Sequence, residues 1–350
     1  VDATDLDAGR TYYYRFRSQG RISPVGRTRT APNGGVEQLR FGVVSCSNFA
    51  NGFFHVYKQL AARADLDAVL HLGDYIYEYA GGEPSLPGLD GEMVSRAHLP
   101  RKEIVTLKDY RVRHAQYRTD PDLQEVHRQH PFIVVWDDHE VANNSWSGGA
   151  QNHNEGEGDW ALRRWAARKA YFEWMPIREL DGYRLWRRLR YGDLLDVVML
   201  DTRLWGRQEQ VTDRMLAQDE ERTLLGDDQE AWLVETLTES TATWRMLGQQ
   251  VMMAQLLISG TALNLDQWDG YTASRERLFD LVEGGTIDNL VVLTGDIHTS
   301  WANELVRDPT GEGYDPETSA GALGAEFVTP GVTSSGLGGS SDFIDRTIQR

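Results

Sequence analysis

An α/β fold is predicted for this chain by two features. Short apolar runs rich in Val and Leu recur along it, and stretches with helical spacing separate them. A third feature narrows the prediction to a kind of site: five of the apolar runs end on a charged or metal-capable residue. In open α/β sheets the carboxyl ends of the strands are where sites form.

Residues 1–32 differ in character from the rest of the chain. Leu6 to Phe16 reads as a polar turn and then an aromatic strand carrying Tyr12, Tyr13 and Tyr14. That pattern is like the tyrosine corner of immunoglobulin or fibronectin type III sandwiches. Gly20 leads to a second short strand, predicted over Val25 to Thr30. A full sandwich takes about seven strands and roughly 100 residues. Residues 1–35 are therefore expected to be the C-terminal part of a β-sandwich-like domain plus a linker, Ala31-Pro-Asn-Gly-Gly35. The alternative is a plain hairpin packed on the main domain.

After the linker, strands are predicted at Phe41 to Ser45, Ala68 to Leu72, Phe132 to Trp136, Leu195 to Leu200 and Leu290 to Thr294, with a weaker one at Arg245 to Gly248. Residues 53–64 place Phe54, Tyr57, Leu60 and Ala61 at helical spacing, and 163–174 and 227–239 also read as helices. Segments 81–100 and 145–159, rich in Gly, Asn, Asp and Ser, read as long surface loops. The first holds a moderately apolar set, Pro84, Leu86, Pro87, Leu89 and Met93. The Gly/Ser run 332–341 reads as flexible.

Composition bounds the function. The 350 residues are 40% hydrophobic and 25% charged, as in a globular protein with a sizeable core. The net charge of −17 argues against a nucleic-acid partner, because phosphate backbones are bound by Lys and Arg. If the substrate is itself a phosphate, bound cations must attract it. No apolar run approaches the roughly 18 residues that span a bilayer. The opening VDATDLDAGR has neither a basic region nor an apolar core, so no signal peptide is visible. The single cysteine, Cys46, forms no intrachain disulfide.

The strand ends carry the chemistry. The run from Phe41 leads into Cys46, and the run from Ala68 into Gly73-Asp74-Tyr75-Ile76-Tyr77. The run from Phe132 leads into Asp137-Asp138-His139-Glu140, that from Leu195 into Asp201-Thr202-Arg203, and that from Leu290 into Gly295-Asp296-Ile297-His298. Any one acid could be a turn residue or helix cap, and Asp201 fits that description well. Five such ends together point to a metal site.

These motifs, with Ser45-Cys46, Trp136-Asp137-Asp138-His139-Glu140 and Gly295-Asp296-Ile297-His298-Thr299, resemble those of PhoD-type alkaline phosphatases. That family includes metal-dependent phospholipases D and belongs with the calcineurin-like metallophosphatases and purple acid phosphatases. The resemblance covers residues 40–335 and implies a four-layer α-β-β-α metallophosphatase sandwich over 36–350. It implies one metal position made of Cys46, Asp74, Tyr77 and His298. Thiolate and phenolate are anionic donors that suit Fe³⁺. Asp74 would bridge to a second position completed by Asp138 and Asp296, whose oxygens suit Ca²⁺ most, with Mn²⁺, Mg²⁺ or Zn²⁺ as alternatives. The wider superfamily has Asn where Asp138 stands, so Asp137, Asn143 and Asn144 remain alternative ligands. Strand alternation argues that Asp137 and Asp138 do not both bind.

The implied activity is hydrolysis of phosphate esters by a metal-activated water, with phosphodiesterase activity alongside. His139 is the candidate acid for the leaving group and Arg203 the candidate phosphate ligand. Trp146 and Trp301 are candidate pocket walls. A phospholipase D acting on phospholipid head groups is one alternative. A non-enzymatic surface binding protein on the same scaffold is the other. The resemblance also implies a secreted or cell-envelope location, and a monomer is expected.

Overall fold

The computed structural model describes residues 2–81, 85–88, 91–179 and 181–336. The chain opens with an antiparallel pair, β1 (Thr11–Tyr14) on β2 (Gly26–Arg29). Beyond it lie two larger sheets. The first is all parallel, in the order β3 (Phe41–Val44), β4 (Ala68–His71), β5 (Phe132–Val134). The second comprises β6 (Arg187–Tyr191), β7 (Leu195–Met199), β8 (Trp244–Gly248), β9 (Leu290–Thr294), β10 (Trp301–Leu305) and β11 (Gly324–Val328). Its spatial order is β6-β7-β8-β9-β11-β10. The four inner strands run parallel, and β6 and β10 close the edges antiparallel.

Side-chain alternation explains the layering. On β7, Val197 and Met199 join a core cluster that also holds Val44, Leu70 and Val134 of the first sheet, while Val198 joins a second cluster. Successive strand residues face opposite sides, so the second sheet turns one face to the first sheet. Helices α1 (His55–Ala61), α2 (Leu107–Tyr117), α3 (Pro121–Gln129) and α4 (Trp160–Trp174) feed the first cluster through Tyr57, Tyr110, Leu123, Ala170 and Tyr171. Helices α5 (Asp227–Thr238) and α6 (Thr272–Glu283) feed the second through Leu233, Leu237, Leu278 and Phe279. Local chemistry sets their starts. Thr106 and Asp109 form a capping box on α2, Asp120 caps α3 just before Pro121, and Asp159 caps α4.

Every predicted strand of the main domain forms, but several stop short. Residues 136–140 have already left the sheet after β5. That corrects the alternation argument, because Asp137 and Asp138 sit in a turn and not in a strand. The loop 81–100 contains a small hairpin, Ser85–Pro87 with Met93–Ser95; Pro84 and Leu89 lie outside the described residues. The linker is docked: Gly192 and Asp193 donate main-chain bonds to the carbonyls of Pro32 (3.0 Å) and Gly34 (3.3 Å). The hairpin before it is tied down by Arg29, whose Nη1 lies 2.6 Å from Asp67 Oδ1. Of the run expected to be flexible, 332–336 packs on the turn that carries Cys46, and 337–341 lies outside the described residues.

Candidate metal centre

Four of the expected ligands share an unusual backbone. Cys46, Asp74, Asp296 and His298 have φ of 57°, 56°, 66° and 58°, in the left-handed region. Such conformations cost non-glycine residues about 1–3 kcal/mol each and persist only where the surroundings fix them. Each lies two to four residues past a strand end. Gly73, at φ 105°, shows why no side chain fits beside them: a Cβ there would lie 2.4 Å from Asp137 Cβ.

Glu140 fixes these turns relative to one another. It is buried, and its Oε2 accepts the main-chain N–H of Asp74 (3.0 Å) and of Asp137 (2.7 Å), while Oε1 accepts that of Tyr75 (2.5 Å). One carboxylate thus staples the turn after β4 to the turn after β5.

The first group is Cys46, Asp74 and His298, whose donor atoms all lie within 4.8 Å of one another. Tyr77 belongs with them: its Oη donates to Asp74 Oδ2 at 2.9 Å and lies 3.3 Å from His298 Nε2. His298 Nδ1 donates to the carbonyl of Ser335 at 2.9 Å, which leaves the Nε2 lone pair for the site. Burial first, then Asp74, pushes both the Cys46 thiol and the Tyr77 phenol above their usual ranges.

The second group joins Asp74, Asp138 and His139, and a third joins Asp137, Asp138 and Asp296, again within 4.8 Å. Asp137 and Asp138 therefore both reach the centre. Burial and acidic neighbours raise Asp296 to about 6 despite Arg203. Asp138 is held below the usual carboxylate range: burial opposes ionisation, but Arg203 and His139 outweigh it. His139 Nδ1 lies 2.7 Å from Glu78 Oε2. Burial works against charge on that imidazole, yet Glu78, Asp138 and Asp74 hold its pKa well above the ordinary value.

Whether these residues fit metal ions is answered by their unspent acceptors. Asp74 Oδ1 and Asp137 Oδ2 are buried without a hydrogen-bond partner among the described residues, and Asp138 Oδ1, also without a hydrogen bond, lies 3.7 Å from Arg203 Nη2. Buried carboxylate oxygens left unpaired are costly unless a cation meets them. The donor set of thiol, phenol, imidazole and carboxylates is one that transition and hard metals take. The residues present fit.

Comparison with known proteins bears on the same stretch. Residues 41–349 match a family described as PhoD-like phosphatase. The chain belongs to the PhoD-like phosphatase family. Residues 1–32 match that family's N-terminal domain. Alkaline phosphatase D of Bacillus subtilis (strain 168) is 40% identical over 357 residues, covering 97% of this chain and 58% of that protein. A solved structure described as "Structure of PhoD" superposes with a TM-score of 0.83 at 39% identity, covering 94% of this chain and 63% of that one. The chain thus spans less than two thirds of the length of both relatives. Their likeness shows a mixed α/β fold of PhoD type.

Measured against expectation, the structure brings Cys46, Asp74, Tyr77, Asp138, His139, Asp296 and His298 together. Arg203 comes too, but buried, with Nε on Asp137 (2.5 Å), Nη1 on Asp266 (2.8 Å) and Nη2 on Asp296 (2.7 Å). Asp201 is a turn residue, accepting from the main chain of Arg203 and Leu204 at 3.0 and 2.8 Å. The main-chain N–H of Asn144 donates to Asp138 Oδ2 at 2.5 Å, and Asn143 hydrogen-bonds Glu78 and Gln151. Trp301 is half-buried against the second core cluster. Trp146 is half-buried in the short hairpin Ser145–Trp146 with Gly149–Ala150.

Sequence reasoning gave no role to Glu78, Glu140, Asp266 or Ser334. Glu78 directly follows Tyr77 and Glu140 directly follows His139, so both were within reach. Asp266 and Ser334 sit in loops that carry no strand-end signal.

Proposed function

We propose that this chain hydrolyses phosphate esters as a metal-dependent alkaline phosphatase, with activity on diesters alongside. The observation that carries it is the largely buried cluster of Cys46, Asp74, Tyr77, Asp137, Asp138, Asp296 and His298, three of whose carboxylate oxygens make no hydrogen bond among the described residues. Family membership and the likeness to alkaline phosphatase D support the same reading. Cys46, Asp74, Tyr77 and His298 would hold Fe³⁺. Asp74, Asp138 and Asp296, with Asp137 close by, would hold a divalent ion, Ca²⁺ before Mn²⁺, Mg²⁺ or Zn²⁺. When bound, such ions supply Lewis acidity toward phosphate oxygens and lower the pKa of a coordinated water.

The protein's own part follows from its geometry. Glu78 takes the Nδ1 side of His139 and leaves Nε2 free to donate a proton to the leaving-group oxygen. Arg203 is committed to carboxylates on three nitrogens, so we read it as the group that holds Asp137, Asp266 and Asp296 in place. It would act on phosphate through them and not by direct contact.

The two facing sheets with helices on each outer side are read as the four-layer sandwich. The N-terminal pair is read as the tail of an immunoglobulin-like domain. The main-chain N–H of Asp7 donates to Tyr12 Oη at 2.8 Å, as in a tyrosine corner, which supports that reading. A secreted or envelope location follows from the family resemblance. A buried, unpaired Cys46 that serves as a ligand is compatible with it. Among the described residues no helix is long and apolar enough to cross a membrane.

The test is kcat/KM on a phosphomonoester and a phosphodiester with the same leaving group, with Fe³⁺ and Ca²⁺ present. Turnover of both with the monoester ahead supports the proposal. A strong diester or phospholipid preference moves the reading to a phospholipase D, and no turnover of either removes the enzyme.

A further inference from the structure

We propose that residues 331–336 form a strap that holds the ligands of the first metal position, and that Ser334 is a positioning residue for Tyr77. This rests on reading Cys46, Asp74, Tyr77 and His298 as those ligands. The strap comes just after β11. Its Gly331 bridges in parallel to Ser45, and a Cβ on Gly331 would lie 3.3 Å from Cys46 Cβ. Val332 donates its main-chain N–H to the carbonyl of Ser45 at 3.0 Å, and Ser334 donates to the carbonyl of Cys46 at 3.2 Å. Thr333 Oγ1 anchors it to the carbonyl of Asn48 at 2.7 Å.

Two contacts then reach ligand side chains. Ser334 Oγ donates to Tyr77 Oη at 2.5 Å, and the carbonyl of Ser335 takes the Nδ1 proton of His298 at 2.9 Å. Six consecutive residues therefore touch three of the four ligands, and each contact leaves the ligand a lone pair for the metal. Partners of this kind orient metal ligands and tune their electronics, and losing one typically costs about 10–100-fold in metal affinity.

The Ser334 hydroxyl has a specific consequence. A hydrogen bond to a phenolate oxygen lowers the energy of its filled orbitals. Transfer of an electron from that oxygen to Fe³⁺ then takes more energy, so the absorption band lies at shorter wavelength. A strap that served only to hold the fold together would not move that band.

The experiment uses the full chain, stripped with a chelator and reloaded with Fe³⁺ alone. Wild type, Ser334→Ala, Ser334→Thr and Tyr77→Phe are compared by visible absorption and by Fe³⁺ retention against a competing chelator. The expected result is a band that disappears in Tyr77→Phe and moves to longer wavelength in Ser334→Ala. In Ser334→Thr, which keeps the hydroxyl, it returns toward the wild-type position. Retention in Ser334→Ala falls roughly tenfold. A band at the wild-type position in Ser334→Ala with unchanged retention overturns the role of Ser334 while leaving Tyr77 as a ligand. A band that survives Tyr77→Phe, or none in wild type, overturns the ligand reading and this inference with it.

Discussion

Glu140→Gln tests how the two turns are held and why the hold depends on cations. Glutamine keeps one acceptor oxygen. Its best placement puts that oxygen on the two N–H groups now served by Oε2, those of Asp74 and Asp137. The amide nitrogen then faces the N–H of Tyr75, donor against donor. Losing one hydrogen bond to a charged acceptor costs about 1.5–3 kcal/mol, and weakening the other two adds to it, so roughly 3 kcal/mol is at stake. The cost does not apply equally in every state. Burial, with Asp74 alongside, pushes Glu140 up to about 8, so at neutral pH the metal-free protein already holds it largely protonated. A protonated carboxyl presents an O–H to one N–H much as glutamine presents its amide. Without metal the substitution should therefore cost under about 1 kcal/mol. With cations offsetting Asp74, Glu140 ionises and the full roughly 3 kcal/mol appears; the difference of about 2 kcal/mol or more between the loaded and stripped proteins is roughly thirtyfold or more in metal affinity. Chelator competition on wild type and Glu140→Gln, with urea unfolding of the stripped proteins, measures both quantities. Equal metal affinities, or a stripped variant destabilised as much as the loaded one, would refute the reasoning.

Other expectations concern single groups. His139→Ala should lower kcat by about 10²–10⁴-fold with metal content kept, by steady-state kinetics and elemental analysis; loss of metal in step with activity would make His139 a ligand. Arg203→Met leaves buried carboxylates without their partner and should cost about 3–5 kcal/mol in unfolding of the stripped protein. Unchanged stability with a large rise in KM would return Arg203 to the role of phosphate ligand. Asp296 is raised from 3.8 to about 6, so folding takes up a proton there. Its contribution to the stability of stripped protein therefore falls as pH rises from about 4 to about 6. The gap between wild type and Asp296→Asn, tracked by urea midpoint against pH, should narrow or invert across that window in the direction of the variant. A wild type that gains on the variant there would contradict the shift.

Much of the site was legible because its residues sit where strand patterns end. Asp74, Asp138, Asp296 and His298 each come just after an apolar run, and the run places them. The rest depends on tertiary contacts that no local pattern shows. Asp266, between β8 and β9, meets Arg203, which follows β7, and nothing local marks that contact. Ser334 sits in a Gly/Ser run whose composition signals flexibility, whereas the main chain of Cys46 holds it. Strand alternation was carried to Asp137 and Asp138, three and four residues past the end of β5, where the chain no longer alternates between two faces of a sheet. Helix α2 shows no apolar spacing for a related reason. The buried face of α2 includes Asp109, Arg113 and His114, which break the apolar spacing that marks a helix. The edge strands β6 and β10 are polar on much of their length, with β6 reading Arg-Arg-Leu-Arg-Tyr, so neither shows as an apolar run.

The central claim is that Asp74 joins two metal positions in a phosphate-ester hydrolase. The most direct test is elemental analysis with phosphomonoester turnover on wild type and Asp74→Ala. Two metal ions per wild-type chain are expected, with activity that a chelator removes and added metal restores, and a variant that keeps neither ion nor turnover. An Asp74→Ala protein with full metal content and full activity would contradict the account.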